Sequence, residues 1–401
     1  MDDTERYARV QLALTPYIGA QAYADLIQFY GSAKNALTAP VSAIATLGRF
    51  GKQAAKEWQQ SDKAKRAADA ALEWATQENC TLLLSSDENY PSNLHQGITA
   101  PPLLFARGKL ELLQQNSLAI VGSRHATPQA MRIAHDFAAT LSEQNITIIS
   151  GMASGIDTAA HQGALKHSGS TIAVWGTGID RIYPQNNQQL AYQIAEQGLI
   201  LSEFPLGTRP LAGNFPRRNR IIAAQSQAVL IVEAALESGS LITARLAAEM
   251  GREVMAIPGS IDNPHSKGCH KLIKDGAKLV ECVDDILNEC PIFANFQHAP
   301  RPKTSPIHMP KTTKTSKKPV QAACKPILQT DLNVLQTAPN TEKNEHSLAE
   351  QLLNKMGYDP IHPDQLAEQL TLPTSDIYAT LLELELDGKI AALSGGRYQR
   401  I

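Results

Sequence analysis

Aromatic residues make up only 5% of the 401-residue chain, and neither charge is in excess: 37 Lys and Arg stand against 39 Asp and Glu. That balance excludes a uniformly basic nucleic-acid coat but leaves room for a local basic groove. No apolar run approaches the roughly 20 residues a membrane-spanning helix needs. The opening residues, MDDTERY, are acidic and lead into no signal-peptide core. The cysteines are few and odd in number (Cys80, Cys269, Cys282, Cys290, Cys324) and form no CxxC pair. A disulfide scaffold is thereby excluded, and a reduced, cytoplasmic protein is expected. GxxxxGK[ST] is absent, so the chain is not itself a P-loop motor. What is present is a 43% apolar share in 43.4 kDa, enough to build two or three domains with sizeable cores.

Composition divides the chain into four parts. Residues 1–75 show Ala and Leu periodicity broken at Gly19, Gly31 and Pro40, which predicts a small helical domain. Residues 76–290 begin with a connecting stretch to about 116, turn-rich at YPSNL and TAPP, and then alternate strands with helices. The strands read as LAIV (118–121), ITIIS (146–150), TIAVW (171–175), LILSE (199–203), AVLIVE (228–233) and EVMAIP (253–258). Nearly continuous apolar runs separated by helices predict an α/β fold: a Rossmann-like, doubly wound, mainly parallel sheet covered on both faces. Residues 291–343 form a basic, Pro-, Thr- and Lys-rich linker. Within 297–325 it carries seven Lys or Arg and no acidic residue, a solvated spacer or, alternatively, a weak phosphate-tracking arm. Residues 344–401 read as three helices, KIAAL, a Gly395-Gly396 turn and RYQRI, the pattern of a winged helix.

Ligands of open parallel sheets bind beyond the carboxyl ends of the strands. There the first strand runs into Gly122-Ser123-Arg124, with Thr127 as a helix N-cap and Pro128 at the first helical position. Gly122 allows close approach to the backbone, and Arg124 offers a planar cationic fork. The second strand leads to Gly151-Met152-Ala153-Ser154-Gly155-Ile156-Asp157, a small-residue turn expected to form a nest of backbone N–H groups. The third leads to Gly176-Thr177-Gly178-Ile179-Asp180, and the three turns together predict an anion-binding rim. None of them has GxGxxG spacing with an acidic partner, so NAD is not expected.

The densest signal is Asn214-Phe215-Pro216-Arg217-Arg218-Asn219-Arg220, three arginines in four positions beside a ring. Guanidinium groups for phosphates and a ring for a base are what single-stranded nucleic acid requires. The alternative is that Phe215 packs in the core and the arginines pair with Glu203 and Glu233. Ser238-Gly239-Ser240 and Thr243 form a further hydroxyl-rich loop at a helix start. Asp157, Asp180, Glu203 and Glu233 lie near strand ends and would serve either a glycosidic-bond hydrolase or, more simply, helix caps and arginine partners. His265, Cys269 and His270 lack a second ligand pair, and neither a metal nor any cofactor is expected.

Gly122-Ser123-Arg124, SGMASGID (150–157), FPRRNRIIA (215–223), VEAALESGSLITA (232–244), GREVMAIPGSID (251–262) and LIKDGA (272–277) closely resemble, in order and spacing, the DNA-processing protein A family, also called DprA or Smf. The resemblance runs across roughly residues 80–290. It implies a non-enzymatic core that binds incoming single-stranded DNA in natural transformation, protects it and loads the recombinase RecA on it, displacing single-strand-binding protein. It also implies a homodimer formed through the core. Carried over by motif, the DNA-binding residues are Gly122, Ser123, Arg124, Gly151, Met152, Phe215, Arg217, Arg218, Asn219, Arg220, Ser238, Gly239 and Ser240, with Phe215, Arg218, Asn219 and Arg220 lining one pocket. Where some members carry a lysine before the FPxRNR block, this chain has Leu211-Ala212-Gly213. LTPYIGAQAYADLIQFYG is similar to a sterile-alpha-motif or helix-hairpin-helix element. The winged helix has nine acidic against four basic residues, and its groove-entering helix, DIYATLLELELDG, has no cation. Such a helix is repelled by duplex DNA, so this module is expected to contact protein or act as a spacer. Two rivals stay open: an N-glycosidase acting on nucleotides or nucleosides through Glu233, and a small-nucleotide sensor on the same turns.

Overall fold

A computed structural model of the protein describes residues 1–58, 62–293, 348–357, 361–393 and 396–400. The basic linker expected within 291–343 lies outside the described residues from 294 onward.

Helices α1 (Asp3–Ala13), α2 (Ala20–Tyr30), α3 (Ala33–Ala36), α4 (Val41–Ala45), α5 (Gly51–Trp58) and α6 (Asp62–Trp74) open the chain. Leu12, Tyr23, Leu26, Ile44 and Ala54 close a core of their own. The outer faces of α1 and α6 belong to the sheet instead: Val10, Ala68 and Trp74 pack with Leu82, Phe105 and Ile200, and Trp74 meets Phe105 edge-on at 5.4 Å.

The sheet contains β1 (Cys80–Leu84), β2 (Leu103–Gly108), β3 (Ser117–Val121), β4 (Thr147–Ser150), β5 (Thr171–Val174), β6 (Leu199–Ser202), β7 (Ala228–Ile231), β8 (Glu253–Ala256) and β9 (Lys278–Leu279), in the order β1-β2-β6-β5-β4-β3-β7-β8-β9. All six strands read from the sequence form and pair in parallel. The stretch read only as a connection supplies β1 and β2, which add an antiparallel edge onto β6. Helices α7 (Pro128–Glu143), α8 (Ile156–Ala164), α9 (Gln188–Gln197), α10 (Asn214–Gln225), α11 (Ser240–Glu249) and α12 (Lys267–Lys274) join the strands, and α13 (Val283–Glu289) follows β9. Side chains alternate across the pleat. Leu118 and Ile120 meet α7 and α8 on one face, while Ala119 and Val121 meet α10 and α11 on the other.

The chain winds outward from β3 through β4, β5 and β6, then crosses by α10 to place β7 on the other side of β3. The winding direction reverses between β3 and β7, the position where a crevice opens in doubly wound sheets. The tail forms α14 (Leu348–Met356), α15 (Pro363–Leu370), α16 (Thr374–Leu386) and an antiparallel pair, β10 (Ile390–Leu393) with β11 (Arg397–Arg400), around Leu352, Leu366, Ile377 and Leu381. That is the expected winged helix. Among the described residues no helix is long and apolar enough to cross a membrane.

Candidate nucleic-acid interface

A cavity of about 750 Å3 opens at the reversal point, walled by Gly122-Ser123-Arg124 after β3, by the first turns of α10 and by Ser238-Gly239-Ser240 ahead of α11. Thr127 caps α7 as expected, accepting from the Ala130 N–H at 3.2 Å with Pro128 behind it. This short entry turn leaves Arg124 exposed at the rim. Its guanidinium lies 5.2 Å from the centre of the Phe215 ring. Phe215 is half-buried, and its other neighbour is Tyr183, 5.7 Å away between ring centres and 43% exposed. Gly176 makes this possible, because a Cβ there would meet the Phe215 ring at 2.8 Å. A cation, a ring and a second ring therefore stand in series at the mouth of the cavity, the second ring coming from Tyr183, which belongs to none of the sequence blocks above.

The three arginines of the FPRRNR block do not act together. On a helix with about 100° per residue, Phe215, Arg218, Asn219 and Ile222 share one face and line the cavity. Arg217 and Arg220 fall on an adjoining face and line a different groove. The expectation that Arg220 shares the pocket is corrected here: it pairs with Glu203 at 2.5 Å and donates to the Thr99 carbonyl at 2.9 Å. Arg217 is 61% exposed on its side chain, lies over the Phe204 ring and comes no nearer than 4.0 Å to Glu203.

Arg218 is in the cavity but forms its floor. It is 4% exposed, and its Nη1 donates to the carbonyls of Gly151 and Val174. Gly151 is required for this approach, since a Cβ there would overlap the guanidinium. Burial pulls Arg218 down to about 10, so it remains charged at neutral pH, opposite the buried Asp157. Burial raises Asp157, against the pull of Arg218 and of backbone donors. Reading Arg218 as a free phosphate grip is therefore corrected to a buried, carbonyl-bound cation.

Part of the expected nests of N–H groups is already bonded within the protein. The N–H groups of Gly151 and Ala153 donate to Asp157 Oδ2 at 3.0 and 3.2 Å. Met152 sits in the left-handed region (φ 63°) and is 1% exposed, its side chain packed in the core. Its N–H donates to His161 Nε2 at 3.3 Å, while His161 Nδ1 lies 2.7 Å from Thr171 Oγ1. Thr171 donates its own hydrogen to the Ile148 carbonyl, so the Nδ1–H tautomer of His161 satisfies both partners. Burial holds this histidine neutral, down to about 3. At the third turn, the Gly178 N–H donates to Thr208 and Asp180 staples Gly207.

Ser123 donates its N–H to the Glu233 carbonyl at 2.7 Å, fixing the β3 turn against β7. Asn219 Nδ2 donates to the Gly239 carbonyl at 3.3 Å, and Ser238 and Ser240 share a hydroxyl contact of 2.7 Å. These bonds hold the far wall beside the start of α11, where the helix dipole favours an anion. Glu237 on the rim is exposed and opposes one. Glu233 is 4% exposed and accepts from the Thr127 N–H at 3.1 Å and from Thr127 Oγ1 at 2.9 Å. Burial raises its carboxyl, although the Thr127 bonds pull it down. It does not line the cavity. Among the described residues no group of three His, Cys, Asp or Glu is placed to hold a metal ion.

Residues 81–291 match the family model described as DNA recombination-mediator protein A, and residues 336–396 match the DprA winged helix domain. Protein Smf of Escherichia coli (strain K12) is 39% identical over 339 residues, which cover 83% of this chain and 80% of that protein. DNA processing protein DprA of Streptococcus pneumoniae (strain ATCC BAA-255 / R6) is 48% identical over 203 residues, 51% of this chain and 72% of that one. The X-ray structure of DNA processing protein A from Streptococcus pneumoniae superposes with a TM-score of 0.61 at 37% identity, covering 74% of this chain and 100% of that one. With the switch-point cavity, the winged helix and the matched blocks in place, the chain belongs to the DNA recombination-mediator protein A family.

Proposed function

We propose that the protein binds single-stranded DNA in the cavity between β3 and β7, shields it during natural transformation and loads RecA on it as single-strand-binding protein is displaced. The observation that carries this reading is the series Arg124, Phe215 and Tyr183 at the cavity mouth. A guanidinium for phosphate and ring faces for bases recognise a strand without reading its sequence. Duplex DNA keeps its base faces stacked inside and has nothing to offer the two rings. The mediator description of the family supports the hand-over to a recombinase.

We read the site as non-catalytic and without metal or cofactor. Glu233, the carboxylate a glycosidase would need, is bonded to Thr127 behind the cavity wall, and Asp157 faces Arg218. In this division of labour residues 76–290 grip the strand, 291–343 act as a spacer and the winged helix of 344–401 contacts protein. Dimerisation through the core joins two cavities on one strand and raises avidity; only monomer at micromolar concentration in sedimentation velocity would count against it. The role itself is tested by RecA nucleation on an oligo-dT strand coated with single-strand-binding protein. Wild type is expected to shorten the lag and Arg124→Glu to leave it unchanged. An equal lag with and without wild-type protein would remove the loading role.

A further inference from the structure

Arg217 and Arg220, turned away from the cavity, line a groove of about 790 Å3 between the helical N-terminal part and α10. Its opposite wall carries two exposed rings, Tyr17 (54%) and Phe50 (49%), whose centres lie 6.3 Å apart. Arg49 lies over the Phe50 ring at 5.5 Å. Tyr17 has a φ of 65°, a left-handed backbone that bulky residues avoid and that collects at functional positions. The two walls are bonded to each other: Thr99 Oγ1 donates to Gln21 Oε1 at 3.2 Å, and Arg220 donates to the Thr99 carbonyl. Among the described residues no carboxylate lines the groove; Glu203 pairs with Arg220 and leaves Arg217 loosely held.

We propose that this groove is a second nucleotide subsite, occupied by the single strand after it leaves the cavity and crosses α10. The proposal rests on the reading of the cavity as a single-strand site. Charge and shape choose nucleic acid over peptide: the groove sets Arg217, exposed and only loosely held by Glu203, opposite two exposed rings, the combination that holds phosphate and base. Continuity supplies the route. The cavity and the groove are adjoining faces of one helix, and its width of about 10 Å is spanned by an extended strand in a few nucleotides.

The test is fluorescence anisotropy of the full-length protein with labelled oligo-dT from about 4 to about 24 nucleotides, a range that brackets the usual footprint of a single-strand site. The double variant Tyr17→Ser/Phe50→Ser removes two exposed rings, and Arg217→Ala removes one exposed cation. The double variant is expected to match wild type on the shortest strand and to lose about tenfold or more on the longest. Arg217→Ala is expected to weaken long-strand binding and reduce its salt slope by about one. Equal affinity of wild type and the double variant at every length overturns the proposal and gives the groove to a protein partner. An equal loss at every length overturns it too. Arg124→Glu separates the two layers: if that variant binds the shortest strand as wild type does, it is the cavity reading that fails.

Discussion

The guanidinium of Arg124 lies over the ring of Phe215, 5.2 Å from its centre, joining the turn after β3 to the first turn of α10. The contact crosses the point where the sheet reverses direction, so two residues that line one cavity lie 91 positions apart in the chain. At an exposed site such a pair contributes about 0.5–1 kcal/mol to the fold, too little to explain its placement by stability. The contact holds a cation and a ring at one orientation at the cavity mouth, where the proposed function places the strand. Phe215→Leu should therefore leave the melting temperature nearly unchanged while weakening oligo-dT binding by about tenfold, within the range of one lost base stack. Unchanged affinity would reduce Phe215 to a packing residue.

Arg218 carries the opposite expectation. Its guanidinium is bonded to two carbonyls and faces Asp157 in a buried site. Removing the guanidinium leaves two buried carbonyls without their donor, each costing about 1–3 kcal/mol, and takes the nearby positive charge away from Asp157. Arg218→Met should lower the denaturant midpoint steeply, and adding Asp157→Asn should restore part of the loss. Thermal and urea unfolding of the two single variants and the double variant would check this. Additive losses would mean that the pair is not coupled.

Glu237 is the exposed carboxylate on the cavity rim. Removing a like charge from beside a bound phosphate strengthens binding modestly and loses its effect as salt screens it. Glu237→Gln should tighten oligo-dT binding by about two- to threefold at low salt and hardly at all at high salt. A weaker complex would place the strand elsewhere.

The buried histidine that fixes the Met152 turn gives a pH dependence. Unfolded, His161 takes up a proton near its ordinary 6.5; folded, it refuses one down to about 3. The unfolded state thus binds more protons across that window, and stability rises with pH through it. The contribution of this group is complete above 6.5 and falls by about 1.4 kcal/mol for each unit of acidification. His161→Asn should be less stable than wild type at pH 7, and the gap should narrow by about 2 kcal/mol at pH 5. Urea midpoints at the two pH values measure it; a constant gap would mean the histidine titrates in the folded protein.

The parallel strands were legible because apolar runs such as AVLIV, bounded by polar helices, have few other ways to be buried. LLLSS and LLFAR do not stand out because the turn-rich YPSNL and TAPP segments lie between them, and no helical stretch separates the two runs as it does the parallel strands. The strand-end turns were found, but not their occupants. Whether Gly151 and Ala153 keep their N–H groups for a ligand depends on where Asp157 folds back, and that is a tertiary fact. The same limit applies to the arginines. Adjacency in sequence reads as one basic cluster, whereas one helical turn sends Arg218 to the floor, Arg220 to Glu203 and Arg217 to a second groove. Tyr183 gave no signal of its own, being a lone aromatic before Pro184 and 32 positions from Phe215.

The most direct measurement of the central claim is fluorescence anisotropy of labelled oligo-dT and of the matching duplex, with wild type and Arg124→Glu, at two salt concentrations. The account predicts that wild type prefers the single strand and that salt weakens binding with a log–log slope on the order of −2 to −3. Arg124→Glu should lose the preference. Equal binding of strand and duplex, untouched by the substitution, would contradict the account and move the DNA site away from the cavity between β3 and β7.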